Sequence, residues 1–354
     1  MKRLLFVGGN FGGDGNPSGY IRKLADEIKG CDDFDVTCFN GGTLELLYKC
    51  LDLVPFFDVV MWFANVPNDE EKTVNVIKKN NPRVLLVTSK NNCDNKYGYH
   101  EIIARMLEVK ANLTLVFTKK DEWIQGTVLD PLGNAYILDY PGILLIAQCL
   151  CKRMSYLLSV TRVGSIALGG IKEIPNEEAF FSIARSHAEK FHNLIHADNK
   201  DRFLGNLSFR CEHGFPSFRE GNLIYVSKRN IDKREIDRSG FVAVELDRPL
   251  EDGVGYHGDV KPSVDTPVQV ALYKYYSNIR YMMHSHVYVL GAEFTEDKVP
   301  CGAMEEVESV KYVIDDHTTT LAAVNLRGHG SLVMANDLYA FDKIEYYERT
   351  FPEL

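Results

Sequence analysis

Five short apolar runs, each followed by a longer and more polar stretch, organise the first 168 residues. They cover residues 4–7, 34–39, 58–63, 84–88 and 113–117, and intervening stretches such as 20–28 and 102–109 have helical spacing. Strands that are apolar on both faces and alternate with helices imply a parallel sheet covered on both sides. The expectation for 1–168 is therefore a doubly wound α/β domain, flavodoxin-like or Rossmann-like.

The glycine-rich string from Gly8 to Gly19 joins the first strand to the first helix. It contains neither GxGxxG nor GxxxxGK[ST], so neither a dinucleotide fingerprint nor a P-loop is licensed. Asn16 is placed to cap the helix, with Pro17 at its first position. A ligand-binding loop and a plain connection both remain open, and no activity is assigned to this domain.

A turn-rich segment, 164–175, marks a join, and a second domain is expected over 173–354. It opens with a strong helix over 177–196. The rhythm then changes to short strands with Gly and Pro punctuation and clustered His. Two domains suit a chain of 354 residues whose composition is 45% hydrophobic and 25% charged.

Four motifs in this second half carry chemistry. His284-Ser285-His286 follows an apolar strand, and residues two apart on a strand share a face, so both imidazoles can reach one ion. His329 lies between two glycines in Arg327-Gly328-His329-Gly330, again after an apolar strand. Lys261-Pro262-Ser263-Val264-Asp265-Thr266-Pro267 precedes the histidine pair by about twenty residues. The fourth is Gly205-Asn206-Leu207-Ser208-Phe209-Arg210.

In this order, together with Val299-Pro300-Cys301-Gly302, these segments resemble the class II aldolase/adducin family over about residues 177–341. The resemblance implies an α/β/α domain in which His284, His286 and His329 hold a divalent metal, zinc in the first instance. It makes Asp265 the acid/base carboxylate. It assigns the phosphate of a small phosphorylated sugar to Asn206, Ser263 and the turn Ser227, Arg229 and Asn230. Asn230 stands where relatives have Gly, a substitution that Asn's tolerance of left-handed backbone allows. The implied function is a metal-dependent lyase or epimerase of carbohydrate metabolism, an aldolase or 4-epimerase acting on a ketose phosphate. A dehydratase using the same metal site and a non-catalytic adducin-like scaffold are the alternatives. A homo-oligomer is also implied.

Three departures from the family pattern bear on the reaction. Asp265 stands where fuculose-type aldolases have Glu, Val264 removes a hydroxyl, and the chain ends soon after a helix expected over 338–349. Tyr346 and Tyr347 are read as packing residues of that helix rather than as catalytic groups, and Glu293 as a solvated carboxylate. His187, His192, His196, His213, His257 and His317 lack partners at ligand spacing and are given structural or exposed roles.

Bulk properties exclude other classes. A formal net charge of −9 argues against a general nucleic-acid or anionic-membrane surface. The longest apolar run, 142–150, falls far short of the ~18 residues that span a bilayer. The eight cysteines form no CxxC pair, and they read as reduced, mostly buried thiols of a cytoplasmic protein.

Overall fold

The computed structural model describes residues 1–11, 13–66, 73–194, 203–211 and 222–354. Its residues fall into two compact units, Met1–Ser159 with Phe351–Leu354, and Val160–Thr350.

In the first unit the chain runs β1 (Lys2–Gly8), α1 (Gly19–Lys29), β2 (Phe34–Asn40), α2 (Leu44–Leu53), β3 (Val59–Trp62), α3 (Thr73–Asn80), β4 (Leu85–Asn91) and α4 (Tyr99–Val109). It continues through β5 (Leu113–Lys120), β6 (Trp123–Leu129), β7 (Ala135–Tyr140) and α5 (Ile143–Ser159). The sheet order is β2-β1-β3-β4-β5-β6-β7, parallel from β2 to β5 and antiparallel beyond. Its first five strands have the flavodoxin-like order. Alternate residues of β1 feed opposite cores. Leu4 and Phe6 pack with α1 and α5, and Leu5 and Val7 pack with α2, α3 and α4.

Two expectations for this unit are corrected, the cap of α1 and the state of the thiols. The cap of α1 is Ser18, whose Oγ accepts from the Ile21 N–H at 3.3 Å. Asn16 instead donates its backbone N–H to Asp14 Oδ1 at 2.9 Å. The apolar run 142–150 is the start of α5, and among the described residues no helix is long and apolar enough to cross a membrane. The thiols are not all reduced, because Cys31 and Cys151 form a disulfide. The pair is separated by 120 residues, so only the packing of α5 beside α1 makes it visible.

The second unit contains β8 (Ser165–Ala167), α6 (Glu178–Leu194), β9 (Asn206–Arg210), β10 (Leu223–Ser227), β11 (Phe241–Glu245), β12 (Val254–His257), α7 (Thr266–Tyr275) and β13 (Tyr281–Ser285). Then follow β14 (Tyr288–Val289), β15 (Glu293–Phe294), α8 (Glu305–Val313), β16 (Leu321–Leu326), β17 (Gly330–Ala335) and β18 (Tyr346–Tyr347). Nine strands form one sheet in the order β15-β16-β17-β13-β9-β10-β11-β12-β8. Its interior is antiparallel, and β15 and β8 pair in parallel at its two edges. Period-two alternation again feeds two cores: Ile224 and Val226 pack with α7 and α8, while Tyr225 packs with Phe180 and Phe181 of α6. Helices on both faces make this unit an α/β/α sandwich.

β8 pairs with β12, so residues 165–167 belong to the second sheet although the sequence pattern had assigned them to the first domain. The helix expected over 338–349 is a 3-10 segment, Leu338–Lys343, followed by β18, which pairs with β14.

Candidate metal centre

The chain is directed to one end of the second sheet from five elements. β13 delivers His284 at its penultimate residue, with His286 just beyond its end. His284 is in register with Leu332 of β17 on one side and Asn206 of β9 on the other. The β16–β17 turn supplies His329, Asp265 occupies the N-cap position of α7, and Ser227 ends β10. Gly205, just before β9, has φ +80 and lies against the backbone carbonyl of His284. A side chain there would meet that carbonyl in a conformation L-residues avoid.

The three imidazoles converge. Their ring centroids are 5.2 Å (His284–His286), 4.7 Å (His284–His329) and 5.0 Å (His286–His329) apart. One ligating atom from each lies within 4.8 Å of the others. His284 Nδ1 donates to the Ser331 carbonyl at 2.9 Å, so Nε2 carries the lone pair, and this buried atom has no hydrogen-bond partner. His329 Nδ1 donates to Glu306 Oε2 at 2.9 Å, both groups being buried. Such carbonyl and carboxylate partners fix the tautomer of metal-binding histidines and orient their rings. The turn bearing His329 is held in turn: the His329 carbonyl accepts from Arg349 Nη1 at 3.0 Å, and the Gly328 N–H donates to Tyr288 Oη at 2.9 Å.

Burial lowers the pKa of His284 to about 4, with His329 adding to the effect. Burial, then His329 and His284, also hold His286 well below its ordinary value. Both rings are therefore neutral at pH 7, the state a cation requires of its ligands. For His329, burial opposes a charge but Cys301 and Glu306 outweigh it, raising its proton affinity. Three convergent imidazole nitrogens, one of them a buried orphan, fit a divalent ion of the zinc type.

Asp265 sits beside this cluster. Its Oδ2 accepts from Asn206 Nδ2 at 2.9 Å, while Oδ1 is buried without a partner. Gln269, one turn along α7, donates to Asn206 Oδ1 and completes a buried chain that orients the carboxylate. The amide of Asn206, assigned from the sequence to phosphate, is thus already engaged with Asp265.

The other sequence-assigned phosphate residues are neighbours. Ser227 Oγ accepts from the Leu207 N–H at 3.1 Å, and the Ser263 N–H donates to the Ser227 carbonyl at 3.2 Å. The Arg229 N–H donates to the Lys261 carbonyl at 2.9 Å, tying the turn to the segment before Ser263. Asn230 has φ 59, and its side-chain oxygen accepts from the Phe203 N–H at 3.0 Å. Ser227 is buried and its hydroxyl serves the backbone, whereas Arg229 is exposed and Ser263 half-exposed.

Sequence reasoning did not single out Glu306, Gln269 or Lys233. Lys233 is buried and donates from Nζ to the Phe203 carbonyl at 2.6 Å. Burial pulls its pKa down to about 8, against the opposing pull of Asp232 and Asp265. It lies in a 3-10 turn with no periodic signal of burial, and nothing in the string Asp232-Lys233-Arg234-Glu235 separates it from solvated charges.

Of the remaining histidines, His192 and His317 are exposed, and His257 Nδ1 contacts the Gly169 carbonyl at 3.1 Å. His196 and His213 lie outside the described residues. Glu293 is exposed on β15. Tyr347 is partly exposed on β18, while Tyr346 is largely buried there and meets His187 Nδ1 through its hydroxyl at 3.0 Å. Burial, reinforced by Lys190, depresses the His187 pKa from 6.5 to about 4. Between those values the unfolded chain binds a proton that the folded chain refuses, so stability falls as pH drops through that window. Denaturant midpoints at pH 7 and pH 4.5 should therefore differ less in His187→Gln than in the parent. An unchanged difference would refute a buried neutral His187.

Residues 186–352 match the family model described as Class II Aldolase and Adducin N-terminal domain. No curated protein matches the chain. Among solved structures, the chain is similar to an L-fuculose 1-phosphate aldolase at 18% identity, covering 48% of this chain and 82% of that one, with a TM-score of 0.35. The N-terminal class II aldolase domain of a conserved protein from Thermoplasma acidophilum gives 18% identity, 49% and 87% coverage and a TM-score of 0.34. A DNA/pantothenate metabolism flavoprotein from Streptococcus pneumoniae gives 12% identity, 45% and 99% coverage and a TM-score of 0.34.

Proposed function

We propose that the second unit is a divalent-metal-dependent enzyme, with zinc the first candidate, that acts as an aldolase or 4-epimerase on a small phosphorylated ketose. The observation that carries this reading is the convergence of His284, His286 and His329 within 4.8 Å, with the unpartnered Asp265 Oδ1 beside them. A non-catalytic adducin-like scaffold has no use for a buried imidazole lone pair, which costs free energy unless a ligand meets it. A dehydratase on a related sugar phosphate would use the same groups.

Breaking a carbon–carbon bond next to a carbonyl leaves an enediolate, whose negative charge must be stabilised. A bound divalent ion supplies that stabilisation as a Lewis acid, so no Schiff-base lysine is needed. The protein's own groups do the rest. Asp265, held through Oδ2 by Asn206, keeps Oδ1 free to take up and return the proton. Glu306 and the Ser331 carbonyl fix two of the imidazoles. Ser263 and the turn from Ser227 to Asn230, with Arg229 as its charged fork, bind the substrate phosphate away from the reacting carbons.

Purified protein should contain about one divalent ion per chain and release an aldehyde, or an epimer, from a ketose phosphate. The unphosphorylated ketose should react with kcat/KM at least ~10-fold lower, the equivalent of losing one charge-assisted hydrogen bond of ~1.5–3 kcal/mol. Equal turnover of the two forms would remove the phosphate assignment. Metal-free protein without turnover of any ketose phosphate would remove the enzyme.

A further inference from the structure

A thiol also reaches the candidate metal centre. Cys301 Sγ lies 3.1 Å from His329 Nε2. One ligating atom each from Asp265, Cys301 and His329 lies within 4.8 Å of the others, so this second potential ligand set shares His329 with the imidazole triad. Two atoms of the combined cluster, His284 Nε2 and Asp265 Oδ1, are buried without partners.

The loop holding the thiol is anchored on both sides. Arg162 Nη1 donates to the Cys301 carbonyl at 2.9 Å, and the Ala303 N–H donates to the Pro300 carbonyl at 3.1 Å. Gly302, at φ +69, lets the chain lie against Val264, where a β-carbon would come 2.6 Å from Val264 Cγ1. Val264 is the residue before Asp265, so the loop bearing the thiol is seated on the segment bearing the carboxylate. Cys301 itself is partly exposed.

We propose that Cys301 is a ligand of the resting metal centre, closing the position that the three imidazoles leave open. The inference rests on the metal reading above and adds a soft donor to it. On loading, the thiol loses its proton to solvent as the sulfur–metal bond forms, so each ion bound releases one proton from Cys301. Imidazole and thiolate together favour zinc and its thiophilic relatives over magnesium or calcium. A substrate oxygen that takes the fourth position must displace the thiolate or enlarge the coordination shell, so the resting protein carries its own competitor for substrate.

The test uses the full chain loaded with Co²⁺. The parent should show a near-ultraviolet thiolate-to-cobalt charge-transfer band. Cys301→Ser should lose that band and keep the visible cobalt bands that come from the three imidazoles. In the unmutated protein, mass-spectrometric mapping of iodoacetamide labelling should find Cys301 slow to react when loaded and fast after chelation, a readout that needs no variant. A parent spectrum identical to that of Cys301→Ser, with labelling indifferent to metal, would leave Cys301 as a hydrogen-bond partner of His329 and overturn the proposal alone. Failure of both proteins to take up cobalt would overturn it together with the three-histidine centre.

Discussion

Asp265→Asn should lower kcat by ~10²–10⁴-fold, the range expected for loss of a general acid/base, while the bound metal is retained. The substitution is conservative in shape. The new amide oxygen can still accept from Asn206 Nδ2, whose bond to Oδ2 is 2.9 Å long in the parent. What disappears is the acceptor at Oδ1, which has no other partner. The fold and the Asn206–Gln269 chain should therefore persist, and the loss should fall on kcat rather than on stability. The substitution also removes one of the two charges that hold up the pKa of Lys233, so that lysine should titrate still lower. Substrate-saturated rates and metal content on the same preparation decide the matter. A fully active Asp265→Asn would mean that the proton is moved by another group.

His284→Ala should strip the centre of its ion, weakening metal affinity beyond the ~10–100-fold that loss of an outer partner costs. The outer-partner comparison is Glu306→Gln, which leaves all three imidazoles and alters only the acceptor at His329 Nδ1. His284→Ala frees only the Ser331 carbonyl, so the fold should tolerate it. His329→Ala should remove the ion equally but at a further cost. It leaves Glu306 buried without its partner, and stranding one member of a buried pair costs ~3–5 kcal/mol. Elemental analysis and denaturation of the two variants separate these effects. Full metal occupancy in His284→Ala would falsify the triad.

The parts legible from sequence share a physical basis: a pattern whose period matches the element that forms. The five parallel strands of the first unit are short runs rich in apolar residues, and each begins within two residues of the expected start. His284 and His286 share a face because a strand alternates. β6 and β7 were not anticipated, since Trp123–Leu129 and Ala135–Tyr140 interleave polar and apolar residues with exposed ends. The expected helix over 338–349 fails because Tyr346 and Tyr347 pair with β14, a tertiary demand that local spacing does not carry. Glu306 reads in sequence as one of three acids in the first turn of α8, favourable to the helix dipole, and only packing reveals that it alone of them is buried beneath His329. The disulfide and Lys233 were invisible for the same reason: their environments are assembled from distant segments.

The last four residues give the chain a topology that a two-domain reading of the sequence misses. Phe351–Leu354 belong to the first unit, where the Ala135 N–H donates to the Glu353 carbonyl at 2.8 Å and the Glu353 N–H to the Gly133 carbonyl at 3.0 Å. The unit that carries the candidate metal centre is therefore an insertion, a long loop whose two ends are both tied to the flavodoxin-like unit. In polymer terms, while the tail stays seated the second unit unfolds as a closed ring rather than as a free chain, and the lost ring entropy favours its folded state. Unseating those four residues, which are not among the candidate metal ligands, converts the ring to an open chain and should lower the midpoint at which the second unit melts. The seat of that tether is the turn at Gly133, in the half of the molecule to which no chemistry has been assigned.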